Sequence, residues 1–346
     1  MACNSWCTAI ISLAAVMHIT AAFSSENGVR IDVVVPDETH HAWAIAEELH
    51  KLATAADLET TAMIAPREGF SIEADFMLLP LRSLAPQVPE LHILELPFFY
   101  TDIAGVHRAL DGSLSGTLQL AARSRDWEIL AFLDEGMHII SGPRRYDQAD
   151  NFLGMEFVLT RPDPMAEKLL TSLYSNRRHI APQDSEDVMR ECAIASRATT
   201  LSQMQREKLY LVHQNLALTY HRYEGWLIVT PKTRWAALDV QLRTKWLHVF
   251  DELVRWQREH NIQREAAILA RFSKDGLLLH EVSNEERAAF QRVLPAPNEL
   301  LPAELDDITR SSLVRQASIG AAAVTGTATA PTNTGDGPAP AAQQRQ

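Results

Sequence analysis

The densest run of groups able to bind a metal or move a proton is H-H-A-W-A-I-A-E-E-L-H, which carries His40, His41, Glu47, Glu48 and His50. On a helix Glu47 and His50 share one face, as do His41 and Glu48. The complete set matches neither H-E-x-x-H nor another known ligand order, so no metal is expected. His40 and His41 follow a candidate strand, however, and an open α/β sheet presents the loops at its carboxyl edge to ligands. Both are therefore candidate ligand-binding residues.

Nucleophilic chemistry finds less support. Cys192 has no partner cysteine once Cys3 and Cys7 are assigned to an N-terminal leader, and it reads as a small apolar core group. No G-x-S-x-G elbow, Walker loop or G-x-G-x-x-G is present. Acidic pairs such as Glu47-Glu48 and Asp306-Asp307 occur in any acidic chain and do not by themselves make an acid/base site. No catalytic residue or cofactor is assigned, and the chain is not read as an enzyme.

The elements that would position a site come from a chain of 346 residues, 46% hydrophobic, enough for a large core and about two domains. A net charge of -12 argues against a nucleic-acid partner, which demands a basic face to release phosphate counterions. Residues 8–23 form an apolar run whose length suits a signal-peptide core and falls short of the ~20 residues of a membrane span. Residues 1–25 are therefore expected to be an export signal, although the first basic residue is Arg30. A retained anchor or an apolar first element of the fold stays open. Residues 316–346 are rich in Ala, Thr, Pro and Gly, so burial cannot offset their ordering entropy and a disordered tail is expected.

Between these ends V-R-I-D-V-V-V reads as a strand, followed by a helix with Ala42, Ile45, Ala46, Leu49 and Leu52 at helical spacing. Strands are expected at 58–64 and 74–80, then helices around Asp111-Gly112. The apolar runs I-L-A-F-L-D-E and M-H-I-I-S-G read as two segments split at Gly136, and E-F-V-L-T as a buried strand. Two helices, P-M-A-E-K-L-L-T-S-L-Y-S and S-E-D-V-M-R-E-C-A-I-A-S-R, lead into L-A-L-T-Y-H-R-Y-E-G-W-L-I-V-T, whose aromatic and β-branched content predicts strand structure. A single helix is predicted from Val240 to about Arg271, with Leu242, Trp246, Val249, Phe250, Leu253 and Trp256 on one face. Strand, helix, strand order makes this an α/β protein with parallel pairing.

Four of these segments, in this order, resemble the C4-dicarboxylate-binding (DctP-type) receptors of TRAP transporters. They are V-V-V-P-D-E-T-H-H-A-W-A-I-A-E-E-L-H-K-L, L-H-I-L-E-L-P-F-F-Y with its downstream D-G-S-L-S-G, I-L-A-F-L-D-E-G-M-H-I-I-S-G-P-R-R-Y, and L-A-L-T-Y-H-R-Y-E-G-W-L-I-V-T with Trp235 behind it. The resemblance runs over roughly residues 29–295. It implies two α/β lobes joined by a hinge, a long bracing helix, and a cleft that closes on a solute. The small and large membrane subunits of the transporter would then be the partners.

The same resemblance exposes departures. Family members hold a solute carboxylate with an arginine in a Gly-Leu-Lys-Ile-Arg-like strand, since a guanidinium presents paired donors. Here the stretch is Gly154-Met155-Glu156-Phe157-Val158, and Val158 offers no hydrogen bond. A second basic position falls on His138, and the late Gly-Val-Val-Asp-Gly pattern reads as Ala195-Ser196-Arg197-Ala198-Thr199. Arg161, three residues past Val158, is a candidate replacement guanidinium, and Arg144 and Arg145 are further candidates. Phe99, beside Phe98 and Tyr100, is a candidate wall of the site; Tyr223 and Trp226 are candidates for its amphipathic lining.

The whole reads as a two-lobed periplasmic binding protein-like fold over residues 26–315. Its expected function is that of a periplasmic TRAP-type receptor that carries a small organic acid to membrane subunits. The alternative, motivated by Val158, is a receptor-derived interaction protein that no longer binds a carboxylate.

Overall fold

The structure, a computed structural model, describes residues 29–33, 42–64, 74–145, 154–173, 175–180 and 185–321. The strands among them are β1 (Val29–Val33), β2 (Thr60–Ile64), β3 (Phe76–Pro80), β4 (Trp127–Gly142), β5 (Glu156–Leu159), β6 (Asn176–His179), β7 (Arg197–Thr200), β8 (Asn215–Leu218), β9 (Tyr223–Pro231) and β10 (Leu278–Glu281). The helices are α1 (Ala42–Ala55), α2 (Leu81–Leu84), α3 (Ile103–Asp111), α4 (Ser113–Arg123), α5 (Pro164–Ser172), α6 (Ser185–Cys192), α7 (Leu201–Arg206), α8 (Lys232–Ala237), α9 (Val240–Lys274), α10 (Asn284–Val293), α11 (Pro297–Leu300) and α12 (Asp307–Ala321). Eight strands form one sheet, seven of them in the order β10-β8-β4-β9-β3-β1-β2 and β7 off that path on β4, while β5 and β6 pair separately in parallel.

The first lobe is built on β2, β1, β3, β9 and the first half of β4. β3 is buried along its whole length and β9 along all but its last residue, which is why F-M-L-L-P and W-L-I-V read as apolar runs. Successive side chains point to opposite faces. Phe76 and Leu78 of β3, with Trp226 and Ile228 of β9, pack against α1 and the front of α9. Met77, Leu79, Leu227 and Val229 pack on the other side against α3, α4 and α12. Each fully buried side chain of this size contributes about 1.5–3 kcal/mol.

The second lobe repeats the plan. Ile139, Leu216, Leu218 and Val158 face α7 and the end of α9, whereas Ile140, Ala217 and Phe157 face α5 and Phe290 of α10.

Two strand segments pass between the lobes and lie side by side. β4 pairs with β9 up to Met137, then exchanges that partner for β7 and β8 from His138 onward. The return runs through Thr219–Arg222, where Tyr220 takes a positive φ of 43° and β8 gives way to β9. The passages are bonded to each other, the His138 amide to the Arg222 carbonyl at 2.7 Å and the His221 amide to the His138 carbonyl at 3.1 Å. α9 follows both lobes: Trp246, Val249, Phe250 and Leu253 enter the first core, Ile268 and Phe272 the second. Between them the Gln257 amide brackets the Asp134 backbone, accepting from its N–H at 2.9 Å and donating to its C=O at 2.7 Å.

Four expectations need correction. The sheet is mixed rather than parallel: β1 pairs in parallel with β2 and β3, and β10 with β8, but β9 runs antiparallel to β3 and β4, and β4 antiparallel to β7 and β8. The runs around Gly136 are one strand of 16 residues, since Gly136 (φ +139°) lies at a bulge that re-aims the strand and does not end it. The helical readings around 164–197 ran too far: helix stops at Ser172 and at Cys192, and Asn176–His179 and Arg197–Thr200 are strands that propensity did not reveal. Their polar side chains hide a role set by pairing with β5 and β4. Finally, residues 316–321, expected in the disordered tail, complete α12. Ala317 and Gly320 are buried there against α3, the Gly320 Cα lying directly on Ala109, so small residues gain their order from close helix approach. The remainder of the tail and the expected signal lie outside the described residues. No helix among the described residues is long and apolar enough to cross a membrane.

Candidate ligand-binding site

β3, apolar and buried throughout, ends at Pro80, and the first turn after it puts Arg82 at the carboxyl edge of the first lobe's sheet. β5 ends at Leu159, and the following turn carries Arg161 and Asp163, the latter capping α5 by accepting from the Ala166 amide at 2.9 Å. β9 opens with Tyr223 and Glu224 on opposite faces, directly after the second lobe passage.

Glu224 is the point on which both lobes converge. One of its oxygens accepts from Arg82 and, at 3.0 Å, from Arg161; the other accepts from Gln203 at 2.9 Å and lies 2.8 Å from His138 Nε2. The Glu224 side chain is 8% exposed, while those of Arg82 and Arg161 are 34% and 30% exposed. Burial opposes charge on Glu224, but the two guanidiniums and the histidine bond hold its carboxyl well below the usual carboxylate range. Burial, reinforced by Arg222, pulls His138 below its ordinary value, so a neutral ring donates Nε2–H to the carboxylate. Gln203 is oriented in turn by Thr199, whose hydroxyl donates to its Oε1 at 3.0 Å.

A second ion pair flanks the first. Arg222, buried in the return passage, grips both oxygens of Asp163 at 2.6 and 2.7 Å. Such a fork-to-fork pair satisfies charges that would be costly to bury alone. Burial opposes both charges, yet each group favours the other's ionised form, raising Arg222 and lowering Asp163. Beneath it Phe98 stacks on Phe290 at 4.7 Å and faces His221 at 5.6 Å.

Of the sequence-derived candidates, the structure brings His138 and Arg161 onto Glu224. Tyr223 and Trp226 are buried at the lobe junction: the Tyr223 hydroxyl lies 3.0 Å from the Leu133 carbonyl and the Asp134 carboxylate, and Trp226 Nε1 donates to Glu135 at 2.7 Å. Phe99 meets Tyr100 edge-on and lines a groove of about 450 Å³ with Leu294, Pro297 and Leu300, away from any donor to Glu224. Arg144 and Arg145 are exposed past the end of β4, Arg145 reaching His280 at 3.3 Å. His40 and His41 lie outside the described residues. Val158, at the expected arginine position, is buried in the second lobe's core.

Sequence reasoning missed Arg82, Asp163, Gln203, Arg222 and Glu224. One signal was available: Arg222 and Glu224 stand among aromatic residues directly before the apolar W-L-I-V, and a charge inside a buried strand has to be paired. Among the described residues no cluster of three or more His, Cys, Asp or Glu is arranged to hold a metal. Glu47 is exposed, and His50 bonds Thr60 at 2.6 Å. Cys192 is buried and its thiol is pushed up by that burial.

Comparison with known proteins adds the following. The family model for bacterial extracellular solute-binding proteins of family 7 (DctP) matches residues 71–296. An uncharacterized protein of Haemophilus influenzae is 25% identical over 57% of this chain and 60% of its own length, so the chain spans less than two thirds of that relative. The C4-dicarboxylate-binding periplasmic protein DctP of Rhodobacter capsulatus is 24% identical over 67% of this chain and 71% of its own. A TRAP periplasmic solute-binding protein of Shewanella oneidensis, solved with bound succinate, superposes with a TM-score of 0.70 at 17% identity, covering 85% of this chain and 98% of that one. That likeness establishes the two-lobed fold.

Proposed function

The chain belongs to the DctP family of bacterial extracellular solute-binding proteins, and on that premise we propose that it is the periplasmic receptor of a TRAP-type transporter. In this reading it binds a small organic acid between its lobes, delivers it to the small and large membrane subunits, and performs no catalytic step. Its carrying observation is the placement of Arg82 from one lobe and Arg161 from the other on a common carboxylate, both with a third of their surface open. Two guanidiniums brought together at a lobe junction suit a carboxylate solute, because each retains N–H donors beyond the one given to Glu224. Lobe closure on such a solute links binding to recognition by the membrane subunits through its differential affinity for the two arrangements. Arg161 thus takes the place of the guanidinium missing at Val158.

A thermal-shift screen across organic acids, sugar acids and amino acids tests the reading. At least one anion at a hundred times its Kd stabilises the protein by about 2.7 kcal/mol. A folded protein that no member stabilises instead favours the receptor-derived interaction role, for which Val158 is the motivating residue.

A further inference from the structure

Glu224 is coordinated as a bound solute carboxylate would be, yet it belongs to the chain. All four of its close donors are side chains: Arg82, Arg161, His138 and Gln203. Its acceptor positions are taken, so it has little left to offer a solute hydroxyl. The two arginines are the members of this cluster with exposed surface. Glu224 lies beneath them, sharing a single oxygen between two guanidiniums that would repel each other without it.

The charges that solute meets follow from this. Arg222 is neutralised by Asp163, and His138 is held neutral by burial and Arg222. Arg82 and Arg161 together carry two positive charges, and Glu224 cancels one. Two more buried carboxylates that act on Arg82 are held by partners of their own, Glu95 bonded to His92 at 2.9 Å and Glu135 to Trp226 at 2.7 Å with the Arg264 guanidinium also acting on it. A solute with one carboxylate balances what remains. A second carboxylate would enter a site already short of positive charge, and desolvating it there would find no compensating partner.

Resting on the receptor reading above, we propose that Glu224 is a positioning residue that sets specificity: it holds Arg82 and Arg161 side by side and makes the cleft select monocarboxylates over dicarboxylates. Other cleft surfaces decide which monocarboxylate is bound.

The test uses matched pairs that differ by one carboxylate, namely butyrate and succinate, lactate and malate, gluconate and glucarate. Their affinities are measured by calorimetry on the full chain, on Glu224→Gln and on Glu224→Asp. Wild type binds the monoanion of a pair at least tenfold more tightly. Glu224→Gln narrows or inverts that ratio by about tenfold, and Glu224→Asp, which keeps the charge, preserves it. An unchanged ratio in Glu224→Gln, or a wild type that prefers the dianion, overturns the proposal while leaving the receptor reading intact. Absence of binding by any folded form to the six probes and to every acid of the thermal-shift screen sinks both, whereas a screen that yields only dicarboxylates overturns the proposal alone. Should Glu224→Gln fail to fold, Arg161→Gln decides, since it removes the one uncancelled charge. It weakens monoanion binding about a hundredfold, and unaltered affinity overturns the proposal.

Discussion

The Glu265 carboxyl, about three quarters of the way along α9, rests on the Cα of Gly136 in the space where any other residue of β4 would carry its Cβ. Helix and strand therefore touch through a missing side chain at the bulge beside the lobe passage. Gly136 also adopts φ +139°, which L side chains rarely tolerate. Gly136→Ala should destabilise the protein by about 2 kcal/mol or more in urea unfolding. Gly136→Ala combined with Glu265→Ala should recover only the steric part, and a neutral single substitution would refute the contact.

Glu265 gives a second expectation, in pH. Burial pushes its carboxyl up to about 7 from an ordinary 4.5, against the opposing pull of Arg264. The folded state thus binds the proton more tightly than the unfolded state. Its contribution is fully present below about pH 4.5 and is lost as pH rises through about 7. Relative to Glu265→Gln, wild type should lose on the order of 2 kcal/mol between these limits, allowing for partial exposure. Parallel stability profiles for the two proteins would contradict the assignment.

The Asp163–Arg222 pair has the opposite sign. Asp163 titrates below its ordinary 3.8 because Arg222 outweighs burial, so its stabilisation is present above that value and disappears as pH falls further. Asp163→Asn should flatten the acid limb of the unfolding profile. At neutral pH the same change leaves the Arg222 guanidinium buried without a counter-charge and should cost about 3 kcal/mol. Retention of the full acid limb in the variant would argue against this pair as its source.

Arg161 and Arg144 separate binding from folding. Both lie in turns that leave β-strands, yet only Arg161 reaches Glu224. Substituting either by Gln should move the ligand-free melting temperature little, because partly exposed ion pairs are worth about 0–1 kcal/mol. At a solute concentration a hundred times the original Kd, Arg161→Gln should cut solute-induced stabilisation from about 2.7 to about 0.4 kcal/mol, and Arg144→Gln should preserve it. The reverse pattern would move the site to the end of β4.

Legibility in the sequence tracked how local the determining physics is. α9 was readable from Trp246, Val249, Phe250 and Leu253 because a 3.6-residue period is written into neighbouring positions. β3 was readable because a strand buried on both faces is apolar at every position. β6 was not, since Asn176–His179 is exposed throughout and owes its conformation to pairing with β5. Gly136 was noticed as a break, but whether a glycine ends a strand or bends it depends on what packs behind it, here Glu265.

The chain alone therefore determined the succession of strands and helices, the two-lobed family plan and the absence of the arginine at position 158, all of which are local patterns or their order. Tertiary structure decided which charges meet. Arg82 and Glu224 are 142 residues apart, His138 and Glu224 86, and Arg161 and Glu224 63. No periodicity connects such positions. Their union is imposed by the two passages of chain between the lobes, because a buried carboxylate is stable only where folding delivers enough donors to replace its water.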